Sequence, residues 1–158
     1  MISISFFNVL GVRPPDECLN YAWLTDPQRA ITRTSLPSKC DNNLEKGWYR
    51  FGSLAGSAMP TDCVPTNHCG GMAPGWLQGS HPFRRYQIVK RSVCFHWDSD
   101  CCRKRHSIRV RKCDGFFVYY LSKTRPFATE LGKCSLRYCG NKKRGTCCIV
   151  KKIKCVGE

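Results

Sequence analysis

Ten cysteines, Cys18, Cys40, Cys63, Cys69, Cys94, Cys101, Cys102, Cys113, Cys134 and Cys139, punctuate this chain between an undistinguished start and a basic tail that holds three more. Thirteen cysteines in 158 residues is the density of a disulfide scaffold, and disulfides persist only in oxidising compartments. A stapled fold is expected, in a protein that is secreted or extracellular. Cys101 and Cys102 constrain the stapling. Adjacent α-carbons stand ~3.8 Å apart across a trans peptide, whereas a disulfide wants ~4.4–6.8 Å. The two must therefore take different partners, and their joint fastens three stretches of chain at one point. Ten cysteines allow about 945 pairings, so spacing alone chooses none of them.

The length suits one domain, and eight Phe, four Trp and six Tyr allow a real core beside the staples. No run approaches the ~18 apolar residues a membrane span needs. Residues 1–15 contain the apolar stretch MISISFFNVLGV before Pro14 and Pro15, without a basic leader region or a small-residue cleavage pattern. They read as a truncated signal peptide or a plain leader.

Gly47-Trp48-Tyr49-Arg50-Phe51 is the first strand signal, aromatic and compact. Cys69 to Pro82 is rich in Gly and Pro and reads as a loop holding Trp76 and Leu77. Tyr86–Val89 and Val93–Trp97 read as two short strands. The clearest element is a β-hairpin over about 107–121. Ile108 and Val110 alternate with Arg109 and Arg111, Asp114-Gly115 is a type I′ turn signal, and Phe116–Leu121 returns. The returning strand is apolar or aromatic on both faces, so it is expected to lie inside the sheet.

The charge of +15 falls wholly on the second half of the chain. Residues 1–83 hold six basic and six acidic side chains, and residues 84–158 hold twenty and five. Such a field attracts polyanions and says nothing about fold. Arg103-Lys104-Arg105, Arg109 and Arg111, and Lys142-Lys143-Arg144 are the candidate polyanion contacts, against the reading that such runs are solvated faces. Nucleic acid is not the expected polyanion, because a disulfide compartment is wrong for it and no binding motif is present. A zinc reading of Cys134-x4-Cys139 with His68, His81, His96 or His106 lacks paired-knuckle spacing. No metal or cofactor is expected. Nor is catalysis, since no nucleophile elbow, metal-binding helix or phosphate loop is present.

The motifs between the cysteines carry a resemblance. Cys18-x-Asn20-Tyr21, Asp26-Pro27-x-Arg29, Cys40-Asp41-x-x-Leu44, Gly47-Trp48-Tyr49-Arg50-Phe51 and Met59-Pro60-x-x-Cys63-Val64-Pro65 stand in order. Pro74-x-Trp76-Leu77-x-Gly79-x-His81-Pro82, Cys94-x-His96-Trp97, Cys101-Cys102, Tyr119-Tyr120-Leu121 and Cys134-x-Leu136-Arg137-Tyr138-Cys139 follow. Over about residues 16–140 the chain resembles the uromodulin-type cysteine-rich domain, also called the eight-cysteine domain. The resemblance implies a small, disulfide-rich, β-rich domain with short helices (α+β) and five internal disulfides. By that analogy Cys18 pairs with Cys113, Cys40 with Cys134, Cys63 with Cys101, Cys69 with Cys139, and Cys94 with Cys102. It also implies a non-catalytic extracellular recognition or adhesion module with protein or glycan partners.

The chain departs from the family pattern in four places. No growth-factor-like or zona pellucida module accompanies the domain, so filament formation is not expected of these residues. Where relatives carry an N-glycan at Trp-Leu-Asn-Gly-Thr, this chain has Trp76-Leu77-Gln78-Gly79-Ser80, and no glycosylation sequon occurs anywhere in it. The interval around Thr124 to Leu131 looks expanded. Residues 141–158 form a basic tail with Cys147, Cys148 and Cys155, whose odd number suggests a covalent dimer or a free thiol. His96-Trp97 and the Trp48–Phe51 aromatics are read as buried framework, and Arg50 and Arg137 as stacked structural arginines. The alternative function is that of a secreted cationic effector, antimicrobial or toxin-like, or a binder of sulfated polyanions.

Overall fold

Period-two alternation builds the sheet, and its longest strand is the spine. A computed structural model describes residues 11–34, 39–125 and 135–143. The strands are β1 (Ala22–Leu24), β2 (Gly47–Phe51), β3 (Ala73–Gln78), β4 (Ile88–Trp97), β5 (Asp100–Lys112), β6 (Phe117–Leu121) and β7 (Leu136–Tyr138). They form one seven-stranded sheet in the order β1-β2-β6-β5-β4-β3-β7. The two outermost pairings, β1 with β2 and β3 with β7, are parallel, and the rest are antiparallel. Ala30 forms an isolated bridge with Gly140 just beyond β7, so the short segment after β1 runs from one edge of the sheet to the other.

Register decides which side chains share a face. Val110 lies opposite Tyr119, and Tyr119 opposite Tyr49. These residues join Val93, Phe95, Ile108, Phe51, Leu77 and Tyr138 in the principal core. On the other face Arg109 lies opposite Tyr120, and Tyr120 opposite Trp48. A second, smaller cluster gathers there around Cys18, Cys113 and Val118, with Tyr21 and Phe116 packed against it.

The expected strand over Gly47–Phe51 is present, and β6 lies inside the sheet between β2 and β5. Four expectations change. The segments over Tyr86–Val89 and Val93–Trp97 are one ten-residue strand, β4, starting at Ile88 because Tyr86 has φ +59° and cannot extend it. The Cys69–Pro82 loop contains β3. Its Gly75 is required by close approach rather than by a turn, since a Cβ there would stand 2.6 Å from Cε1 of Phe95. The hairpin arm over Ser107–Cys113 extends back to Asp100, and its turn is not type I′, which needs positive φ at both central residues. Gly115 has φ +80° and Asp114 does not have positive φ. The Asp114 carboxylate instead accepts hydrogen bonds from Nε of Arg85 at 2.6 Å and the Tyr86 hydroxyl at 2.6 Å.

The helices are single 3-10 turns at Asp16–Cys18, Pro27–Arg29 and Ser53–Ala55. No α-helix occurs among the described residues, which are therefore β-rich rather than α+β. Three-residue segments bounded by cysteines, prolines and glycines are too short to repay helix nucleation. Four disulfides join pairs of described residues, Cys18–Cys113, Cys63–Cys101, Cys69–Cys139 and Cys94–Cys102. Each is a pair that the resemblance implies, and the adjacent cysteines take different partners. Cys40 is also disulfide-bonded, but its expected partner Cys134 lies outside the described residues. So do Arg144, Cys147, Cys148, Cys155 and most of the leader, the expanded interval and the tail.

Buried charge locks the β7 side. Arg29 and Asp41 are 7% and 3% exposed. The Arg29 guanidinium donates to both Asp41 oxygens, at 2.9 and 2.5 Å, and to the Tyr138 carbonyl at 3.0 Å. The Tyr138 N–H donates to the same carboxylate at 2.8 Å. Arg137 is not a stacked arginine as expected. It is buried and donates from Nη2 to Asp26 at 2.5 Å. Burial opposes ionisation of Asp26, but the Gln28 N–H, Arg137 and Lys39 together hold its pKa at about 2.

Candidate functional site

Alternation along β5 divides the expected cationic stripe. Arg109 is exposed on the outer face, its guanidinium 4.3 Å from the Tyr120 ring and 5.4 Å from the Trp48 ring. Arg111 stands in register with Val118, but its charge is spent locally, with Nε on Glu17 at 2.5 Å and Nη1 on the Tyr86 carbonyl at 2.6 Å. Lys104 donates from Nζ to the Arg125 carbonyl at 2.6 Å, and burial lowers its pKa. Arg105 donates to Sγ of Cys102 at 3.2 Å, while Arg103 is exposed. Lys142 and Lys143 lie elsewhere. The Lys142 N–H bonds the Ala55 carbonyl, and Lys143 lines a separate cavity of about 600 Å³ with His68 and His81. These cations therefore form no single stripe.

What the fold assembles instead is a layer of cations and aromatic rings on the outer face. Arg50 lies 3.7 Å from the Phe116 ring, 4.6 Å from Trp23 and 5.6 Å from Tyr21, and donates to the Tyr21 hydroxyl at 2.8 Å. Trp23, in register with Arg50, is 52% exposed. Lys46 lies 5.8 Å from the Tyr120 ring. The arginine stack at Arg50 was expected; the exposed Trp23 and the outward Trp48 were not. The available signal was the alternation of Gly47–Phe51, which puts Trp48 and Arg50 on the face opposite Tyr49 and Phe51. Rings held by neighbouring guanidinium groups make a rigid surface that offers cations to anions and flat apolar faces to sugars or side chains.

Beneath this layer the histidines are structural. His106 is half-buried, with Nδ1 2.7 Å from the Tyr138 hydroxyl and Nε2 3.2 Å from Oγ of Ser122. The Tyr138 hydroxyl donates to the Ser122 carbonyl at 2.9 Å, so Nδ1 of His106 is the donor to it and Nε2 accepts from Ser122. Burial, reinforced by Lys104, lowers the pKa of this imidazole. The Tyr119 hydroxyl accepts from the Met59 N–H at 3.0 Å and lies in hydrogen-bond contact with Nε2 of His81 at 2.8 Å. Burial, then Lys112 and Arg91, push His81 down to about 4.

A histidine whose folded pKa is depressed stabilises the fold fully above its unfolded value, ~6.5, and loses that contribution as pH falls through the folded value. Between pH ~6.5 and ~4 the domain is expected to lose about 1–2 kcal/mol, after a discount for the partial exposure of the ring. Thermal melts across that window check this. His81→Gln, which keeps a hydrogen-bond partner for Tyr119, is expected to flatten the slope.

His96 completes the one group among the described residues with metal-ligand proximity, Cys63, His96 and Cys101. Its two sulfurs are bonded to each other, and Nδ1 of His96 lies 2.8 Å from the Val64 carbonyl, so the cluster is a disulfide with a packed histidine.

Residues 49–140 match the model of the uromodulin-like cysteine-rich domain family. The chain belongs to that family. This uromodulin-like domain is 39% identical over 132 residues to the pancreatic secretory granule membrane major glycoprotein GP2 of Canis lupus familiaris, covering 84% of the chain and 25% of that protein. It is 39% identical over 135 residues to uromodulin of Mus musculus, covering 84% of the chain and 20% of that protein. Against GP2 of Homo sapiens the identity is 35% over 124 residues, covering 78% and 22%. The chain thus spans a quarter or less of the length of these relatives. Arg50, Arg109 and Tyr120 fall within the matched stretch, whereas Trp23, Lys46 and Trp48 precede it.

Proposed function

We propose that this uromodulin-like domain is a non-catalytic extracellular recognition module, binding a protein or glycan partner, and sulfated glycans in particular, through its rigid surface. The observation that carries the reading is the ring-backed cationic face, where Arg50 and Arg109 are held on aromatic side chains with no carboxylate partner among the described residues. The compartment rests on the disulfides and on GP2 being named a secretory granule membrane glycoprotein. Among the described residues no helix is long and apolar enough to cross a membrane.

The non-catalytic reading draws support from what the candidate groups are already doing. All described cysteines are disulfide-bonded and hold no thiolate. The Ser122–His106 contact has the neutral Tyr138 hydroxyl, not a carboxylate, behind the imidazole, and so lacks the charge that stabilises an imidazolium during general-base catalysis.

Heparin chromatography tests the reading. The domain is expected to elute at higher salt than a globular protein of matched net charge, because placed cations bind better than a diffuse field. Equal elution would remove the glycan assignment. Lysis of anionic vesicles without retention would favour the cationic effector.

A further inference from the structure

Several exposed cations with no carboxylate partner among the described residues gather along a trough where β5 outruns β6. Pairing between these strands ends at Arg109 and Tyr120, while β5 continues beside β4 as far back as Asp100. Two cavities lie along this gap. One, of about 330 Å³, is lined by Lys46, Lys90, Arg109 and Tyr120 among others. The second, of about 790 Å³, is lined by Lys104, Arg105, Lys123 and Arg125, with Glu45 as the single carboxylate among its described lining residues. They share Lys46, His106 and Ser122, so they adjoin each other along the strand.

Lys46, Lys90, Arg109, Lys123 and Arg125 are all exposed and join no ion pair among the described residues. Lys90 and Arg109 also stand directly opposite each other in the β4–β5 register, an arrangement of like charges that destabilises a sheet. A ligand anion between them would relieve it.

We propose that this trough is the binding site for a single sulfated glycan chain, which lies along β5 with its sulfates on Lys90 and Arg109 at one end and on Lys123 and Arg125 at the other. The inference rests on the glycan reading above and names its site. From Arg109 to Arg105, an exposed lining residue on the same face, is four residues of strand, about 13 Å at ~3.3 Å per residue, which requires an oligosaccharide rather than one sugar. Recession decides against a bilayer, whose flat headgroup plane cannot enter a trough, whereas a narrow chain bearing anions on its flanks can. The larger cavity also has apolar wall from Leu44, Phe95 and Leu136, against which the carbon faces of sugar rings can pack, and His106, held between Ser122 and Tyr138, adds no charge there.

The test is isothermal titration of the intact chain, oxidised, with a heparin octasaccharide, a heparin disaccharide, and a single-stranded oligonucleotide of equal charge to the octasaccharide. The double reversal Lys46→Glu with Lys123→Glu is compared with Arg33→Glu and Arg84→Glu, exposed cations outside the trough, which change net charge equally. The octasaccharide is expected to bind tightly and the disaccharide weakly. The trough variant should lose affinity at least about tenfold, ~1.4 kcal/mol, more than the control. Equal losses in both variants would overturn the site and leave the glycan reading standing. No binding of the octasaccharide by the unaltered protein would overturn both. Equal affinity for the oligonucleotide would overturn the ligand class. A thermal melt of each variant ensures that the comparison is between folded proteins.

Discussion

Asp41→Ala is expected to lower the unfolding temperature by about 10–20 °C with the disulfides intact. The Asp41 carboxylate takes two bonds from Arg29 and one from the Tyr138 N–H, and its backbone bonds Leu136 and Thr124. It therefore couples the 3-10 turn at Pro27–Arg29, β7 and the segment that leaves β6. Truncation leaves the Arg29 guanidinium buried without its counter-charge, a loss of about 3–5 kcal/mol, and each kcal/mol is worth roughly 3–5 °C in a domain of this size. The double variant Arg29→Ala with Asp41→Ala is expected to be no less stable than Asp41→Ala alone, because removing both charges removes the unpaired one. Circular-dichroism melts decide it. Additive losses would mean that packing, not charge pairing, holds this corner.

Removing the Cys18–Cys113 bridge, with both cysteines replaced by alanine, is expected to cost about 2 kcal/mol more than removing Cys94–Cys102 in the same way. The bridges close sequence separations of 95 and 8 residues, and the denatured chain gains conformational freedom with the logarithm of that length. The absolute values on the same relation are ~4.7 and ~2.5 kcal/mol. Denaturant midpoints measured without reductant give the comparison. The longer bridge also ties the first 3-10 turn to the hairpin turn, next to the Phe116 ring that carries Arg50, so its loss is expected to weaken heparin retention as well. Equal stability losses from the two deletions would show that local packing dominates over chain entropy.

Legibility in the sequence followed the range of the forces involved. β2 and the β5–β6 hairpin were readable because alternation and a turn signal are local. β3 was not, because Pro74 and Gly75 look like loop residues until Phe95 is known to lie against them. The four described bridges could be anticipated only through resemblance, since spacing alone leaves every pairing open. The ion pair of Arg29 with Asp41 joins residues twelve apart that no motif couples.

The oxidising scaffold, the family, the separate partners of Cys101 and Cys102, and the concentration of charge in the second half all follow from the order of residues alone. Which of those charges act together is a matter of tertiary structure. Arg111 is neutralised by Glu17 from the far end of the chain, whereas Lys46 from the neutral first half joins Lys90, Arg109 and Lys123. The reason is the strand order. β2, β6, β5 and β4 are spatial neighbours but not all sequence neighbours, so the field at any point on the sheet is set by register across strands, which a linear count of charges does not contain.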